Sequence, residues 1–339
     1  MATRLSSAPQ IYKLARDLGL KGHEDPVSLI LKYCERRVKE FLRDCSSCED
    51  LCGLLDWLAA KLNTTFEVVH TDVELLAIKN KYLRRGERSF ARLEDELRDD
   101  VYGITFRLKQ REPWEPMFVS IIDCRGRKAA RAYFTKWHEL AHLLVQTDQM
   151  RLSFRRTHCP SGTQDAEEAL MEVIAGNFGF YRPIVSRHAK GHISFETIEE
   201  LRARLCPEAS QQASLIGFVK AWPQPCLLVR AELALRRNEE AQRFQKTLDF
   251  VEVPVPVLRA IHVTPNEAAR DIGFTIFENM RVPERSVIHK VFDAEVSSAE
   301  AEEDLAWWRA SNGTQLTRRR VRVIAKRVRD SVQALIVPL

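Results

Sequence analysis

The stretch that most constrains this chain is Ala132–Gln146, AYFTKWHELAHLLVQ, which contains His138, Glu139 and His142 in the pattern His-Glu-x-x-His. Its apolar residues keep helical spacing, and Thr135 is expected to cap the helix that carries the motif. Residues four apart share a helix face, so the two imidazoles converge on one point. Two neutral imidazoles one turn apart chelate a single Zn²⁺ at ~2.0–2.1 Å. Glu139 is rotated away from that point. It is better placed to take a proton from a metal-bound water than to bind the metal. Leu140, Leu143 and Leu144 fall at core spacing, so the helix is expected to be buried on the side away from the metal.

A zinc of this kind needs a third protein ligand and keeps a fourth position for water. Downstream, PSGTQDAEEALMEVIAGNFGFYRP reads as a helix over roughly Asp165–Gly179, ending before Pro183. Glu168, Glu172 and Ala175 share one of its faces. Glu168 as ligand would place Glu172 one turn further on, where it could hydrogen-bond a ligating imidazole from outside the metal shell. Glu172 as the ligand is the competing assignment. Ala175 and Gly176 are expected to let this helix lie close against the first.

The remaining composition narrows the class. A chain of 339 residues is longer than one core usually holds, so two domains are expected. A net charge of +5 is too slight to announce direct nucleic-acid binding. No apolar run approaches ~18 residues, so no membrane-spanning helix is expected. The first twenty residues lack the apolar stretch of a signal peptide, so cytoplasmic location is the default.

The chain order also speaks to fold class. Helices are expected up to about residue 62, then a strand at Thr65–Thr71, a charged helix at Glu87–Arg98, and strands at Tyr102–Leu108 and Met117–Asp123 before the His-Glu helix. That order predicts a small mixed sheet packed on helices, an α+β fold rather than βαβ repeats. Beyond Pro183, helices are expected at Ser194–Leu205, Gln211–Ala221 and Leu227–Phe244. A β-branched strand follows, confined partly to an edge by Pro254 and Pro256. A short helix at Asn266–Ile272 comes next, then strand candidates from Val282 to Phe292 and at Arg318–Val328, with Asn312-Gly313 as a turn.

At these residues the chain resembles the ImmA/IrrE-type zinc metallopeptidases. In that family the motif helix is commonly preceded by Phe-Thr, as Phe134-Thr135 stand here. The third ligand is a Glu on a following helix, with a polar residue four positions on and Ala seven on, as at Glu168, Glu172 and Ala175. Trp137 and Ala141 depart from the family's usual Ala and Gly. The resemblance covers about residues 51–183. It implies a zincin-like fold, Zn²⁺ held by His138, His142 and Glu168, Glu139 as the catalytic base, and Glu172 beside the ligands. It also implies hydrolysis of a peptide bond in a protein substrate, a DNA-binding repressor in known members. The expected division is an N-terminal helical segment at 1–50, a zinc metallopeptidase domain at 51–207 and a C-terminal α+β domain at 208–339. The alternative is a non-catalytic regulatory or sensing protein with a structural zinc.

Three further groups of residues stand out. His158, Tyr133 and Tyr181 are candidates to stabilise an oxyanion. Cys45, Cys48 and Cys52, spaced as one helix face, read as buried thiols rather than as a metal or iron–sulfur cluster with Cys34. Arg318, Arg319, Arg320, Arg322, Lys326, Arg327 and Arg329 read as an exposed strand face rather than a polyanion-binding strip, since no aromatics interleave them. Trp307 and Trp308 are expected to anchor a core.

Overall fold

A computed structural model describes residues 5–45, 48–98, 100–145, 153–157, 165–236, 239–240, 254–293, 296–310 and 313–339. The chain separates into two compact units, Met1–Ile184 with Leu201–Ser214, and Val185–Glu200 with Leu215–Leu339. Both are built from helices and sheet. No described helix is long and apolar enough to cross a membrane.

The first unit opens with three helices, α1 (Pro9–Asp17), α2 (Pro26–Leu42) and α3 (Leu51–Lys61). Asp25 and Asp50 cap the second and third, accepting from Ser28 N at 3.0 Å and Gly53 N at 2.6 Å. The Asp50 cap starts α3 later than its apolar pattern suggests. Cys45 and Cys48 therefore precede the helix instead of lining its face, and they are joined in a disulfide. This corrects the reading of both as buried thiols. Cys34, Cys52, Cys124, Cys206 and Cys226 are free, all buried except the half-buried Cys52.

A four-stranded mixed sheet follows, in the order β1-β3-β2-β4. Its strands are β1 (Thr64–Val69), β2 (Val101–Arg107), β3 (Phe118–Asp123) and β4 (Ser153–Thr157). β1 runs parallel to β3, while β2 is antiparallel to both β3 and β4. Between β1 and β2 lies α4 (Asp72–Arg84), which the hydrophobic pattern did not reveal. A capping box sets its start: Thr71 accepts from Glu74 N, and Glu74 accepts from Thr71 N. The charged stretch expected as one helix over Glu87–Arg98 is instead a 3₁₀ segment, Arg88–Arg92, and a single turn, Leu93–Glu96.

Strand alternation gives the sheet two different faces. Ile104, Phe106, Val119 and Ile121 pack with Leu75, Ile78 and Tyr82 of α4 and with Phe90 and Leu93. The opposite face carries Gly103, Thr105 and Ser120 and is covered by α5 (Ala132–Leu144), the motif helix. Two more helices, α6 (Ala166–Gly179) and α7 (Arg182–His188), come after β4. Pro183 sits in the first turn of α7, where its missing N–H costs nothing.

The second unit is organised by a five-stranded antiparallel sheet in the order β6-β5-β9-β8-β7. Its strands are β5 (Leu227–Ala234), β6 (Val257–Pro265), β7 (Ser298–Asp304), β8 (Arg320–Val328) and β9 (Ser331–Pro338). Helices α8 (Phe195–Leu205) and α9 (Gln211–Ala221) precede it, and α10 (Glu267–Asp271) and α11 (Val287–Asp293) lie between its strands in sequence. The sheet packs Val229, Val323, Ala334 and Ile336 against Phe274, Ile288, Val291 and Trp308.

Two expectations fail here. Leu227–Ala234 is a strand rather than the start of a long helix. Its Ala, Glu and Leu residues favour helix locally, but pairing with β6 and β9 overrides that preference. Residues 287–293 form a helix rather than a strand, because the buried Glu303 carboxylate of β7 accepts from Val287 N at 2.6 Å and caps it. The basic stretch lies on β8, where Arg320 pairs with Glu302 and Arg322 with Glu300 of the neighbouring β7; Arg318, just before β8, pairs with Asp304. Trp308 is buried and Trp307 half-buried. Asn312 lies outside the described residues, while Gly313 has the positive φ of 83° that the turn requires.

One ion network ties the sheet of the first unit to the chain that leads into α5. Asp123, at the end of β3, accepts from Arg125 Nη2 at 2.8 Å and from Lys128 Nζ at 2.7 Å. Burial alone would raise its carboxyl, but the bonds from Arg125 and Lys128 prevail and hold it below the usual carboxylate range. A carboxyl lowered in the folded state contributes stability above its unfolded pKa and loses it as pH falls through the native value. Asp123→Asn should therefore cost about 3 kcal/mol at neutral pH, as expected for one partner removed from a buried pair. The gap from wild type in urea midpoint should hold down to about pH 4 and close below it. A gap that does not change with pH would show that Asp123 acts by shape and not by charge.

Candidate metal centre

Helix α5 presents three functional faces, each at a spacing of four residues. Tyr133 and Trp137 point toward the end of α6, His138 and His142 toward its beginning, and Thr135 and Glu139 toward β2. All seven of Trp137, His138, Glu139, Leu140, Ala141, His142 and Leu143 are buried, so the helix is covered all round and not only on its leucine side. Its first residue is Ala132. Thr135 is thus inside the helix rather than at its cap, and its hydroxyl donates to Arg131 O at 2.9 Å. At the other end, Arg37 of α2 donates to Leu144 O at 2.5 Å, a cation on the negative end of the helix dipole.

The contact of α5 with α6 is set by one glycine. A Cβ on Gly179 would stand 3.3 Å from Trp137 Cδ1, while one on Gly176 would meet nothing within 4 Å. The close approach expected at Gly176 therefore falls at Gly179, while Ala175 is fully buried. Tyr133 Oη donates to Gly179 O at 2.6 Å, which commits that hydroxyl to joining the helices rather than to an oxyanion.

On the second face, Glu168 reaches both imidazoles. Its Oε2 lies 3.1 Å from His138 Nε2, and its Oε1 lies 3.3 Å from His142 Nε2. The two Nε2 atoms are 3.3 Å apart. The imidazoles are almost fully buried, and the Glu168 side chain is a quarter exposed. Asp165 caps α6 by accepting from Glu167 N, which sets Glu168 in the first turn. Burial works to raise the Glu168 carboxyl, but the hydrogen bonds and charges of His138 and His142 outweigh it and bring it down to about 2. The three side chains form a group that could hold a metal ion. Two histidines on one helix and a glutamate on the next is the pattern of a zincin-like metal site. Glu172, one turn beyond Glu168, is exposed.

On the third face, Glu139 turns its carboxylate to the sheet. Thr105 Oγ1 donates to Glu139 Oε2 at 2.6 Å, and Ser120 Oγ lies 2.6 Å from Thr105 Oγ1. Gly103, two residues before Thr105 on the same face of β2, leaves the space that Glu139 and Thr135 occupy. A Cβ there would stand 2.6 Å from Thr135 Cγ2 and 3.0 Å from Glu139 Oε1. The sequence reading missed Gly103, Thr105 and Ser120. The signal was present as a glycine and two hydroxyls inside otherwise apolar strands, where a strand glycine marks close approach of another group. His158 lies outside the described residues, and Tyr181 is buried beside Phe178.

No protein-family model matches the chain, and no curated protein matches it.

The two α6 glycines give opposite expectations. Gly179→Ala should lower stability by roughly 1 kcal/mol or more, because the buried Trp137 has no room to yield. Gly176→Ala should raise it by about 0.5–1 kcal/mol, since the site is helical and open. Urea unfolding of both variants measures the difference, and equal shifts would contradict the assigned helix contact.

Proposed function

We propose that this chain is a zinc-dependent endopeptidase of the ImmA/IrrE type that hydrolyses a peptide bond in a protein substrate, a DNA-binding regulator by that resemblance. The observation that carries the reading is the convergence of His138, His142 and Glu168: the two Nε2 atoms are 3.3 Å apart, Glu168 Oε2 lies 3.1 Å from the first and Oε1 3.3 Å from the second. Ligand atoms at ~2.0–2.1 Å from a tetrahedral Zn²⁺ are separated by ~3.3 Å, and these contacts are close to that spacing, which supports the reading. The donor set, two imidazoles and one carboxylate, is that of catalytic rather than structural zinc sites.

Zn²⁺ held there supplies Lewis acidity, bringing a water's pKa toward ~7 and polarising a carbonyl oxygen. Glu139 is the group in this chain that moves protons. Its carboxylate takes one from the attacking water and delivers it to the leaving amine. Its burial keeps bulk water from competing for that transfer. His138 and His142 would hold the ion through Nε2, a role that requires the lone pair of an imidazole. In this reading Glu172 acts from outside the ligand set, on a ligating imidazole.

Purified protein should contain about one zinc per chain, and His142→Ala and Glu168→Ala should each lose most of it. Zinc retained in Glu168→Ala but lost in Glu172→Ala would transfer the ligand role to Glu172. Zinc-loaded wild type, incubated with a lysate of cells lacking this chain, should generate new protein N-termini that mass spectrometry identifies. Glu139→Gln should retain zinc and fold while cleavage falls by at least ~10²-fold, the usual contribution of a general base. Cleavage unchanged in Glu139→Gln would sink the peptidase reading and leave a structural or sensing metal in its place.

A further inference from the structure

We infer that Thr105, backed by Ser120, is a positioning residue for Glu139: its hydroxyl holds one carboxylate oxygen and so fixes the orientation of the carboxylate. The inference rests on Glu139 acting as the proton carrier.

The argument begins with sheet register. Thr105 of β2 and Ser120 of β3 are direct cross-strand partners, so their side chains stand together on one face. Both are fully buried, on the face that α5 covers. Val, Ile and Phe fill the neighbouring positions of these strands, and a hydroxyl adds nothing to apolar packing. Two hydroxyls stand here instead, and the fully buried Glu139 comes within 2.6 Å of the first, Thr105 Oγ1.

Hydroxyl chemistry then dictates direction. A hydroxyl has one proton to donate, and an ionised carboxylate only accepts. Thr105 therefore gives its proton to Glu139 Oε2, and Ser120 must donate to Thr105 across their 2.6 Å contact. Each bond polarises the next, so the Thr105 hydroxyl is a stronger donor than it would be alone. Thr64 of β1, 3.5 Å from Ser120 Oγ, stands at the far end of this row. With Oε2 held, the carboxylate has one fixed plane, and the missing Cβ of Gly103 gives it room to lie there. A rigid base spends less of its time in unproductive rotamers, so holding it raises turnover without adding contact to substrate. None of these residues belongs to the His138–His142–Glu168 group.

The test uses zinc-loaded full-length protein and a quenched fluorogenic peptide spanning the cleavage point found in the lysate. Thr105→Val keeps the shape and removes the donor, while Thr105→Ser keeps the donor. Thr105→Val should keep full zinc content and a KM within about twofold of wild type, and its kcat should fall by about tenfold or more. Thr105→Ser should restore kcat to within a few-fold. Equal kcat in wild type and Thr105→Val, with Glu139→Gln inactive, would overturn this inference and leave the peptidase reading intact. Activity in Glu139→Gln would instead overturn that reading. A thermal-melting cycle needs no substrate: Thr105→Val should lower Tm in wild type but not in a Glu139→Ala background. Equal Tm losses in both backgrounds would show that the two side chains do not act on each other, and would overturn the inference whatever the kinetics.

Discussion

Burial of three ionisable side chains on two successive turns of one helix is the constraint around which the first unit is arranged. An imidazole or carboxylate withdrawn from water is costly unless something in the interior bonds to it. The surroundings of α5 supply those partners. Glu168 of α6 stands against both imidazoles, and Thr105 of β2 stands against Glu139. The remaining face of the helix can then be apolar, and it packs tightly enough that Gly179 is needed opposite Trp137.

The sheet serves that helix more than it serves itself. One face is an ordinary apolar surface closed by α4 and the 3₁₀ segment, with Ile104, Phe106, Val119 and Ile121 in the core. The other carries a glycine, which leaves room for Thr135 and Glu139, and a row of hydroxyls. A strand that gives up apolar contacts in its buried interior does so for whatever it faces, which here is the carboxylate of Glu139. The Asp123–Arg125–Lys128 network has a related function: it anchors the end of β3 to the turn from which α5 starts. Errors in the direction of that turn would be magnified along the helix.

The second unit follows simpler rules. Its sheet closes an apolar core, and the charged face of β8 is matched in register by the acids of β7. Three cations of the basic stretch, Arg318, Arg320 and Arg322, are thereby paired with acids of the neighbouring strand.

Much of the candidate metal centre was legible in the residues alone. The i, i+4 spacing of His138 and His142 puts two imidazoles together on any α-helix, and Glu168 is in the first turn of the next helix because Asp165 caps it. The capping box at Thr71 and Glu74 was equally local and should have revealed α4. Other features depend on chain segments far apart in sequence. No local pattern joins Thr105 to Ser120 and Glu139, because strand register decides which hydroxyl faces which carboxylate. Leu227–Ala234 has the composition of a helix and becomes a strand only because β6 and β9 flank it. Glu303 starts α11 from a different strand. Local spacing determines which side chains share a face, since helix and strand periods are properties of the backbone. What those faces meet is decided by packing, where the need to satisfy buried polar groups selects among partners that the sequence leaves unpaired.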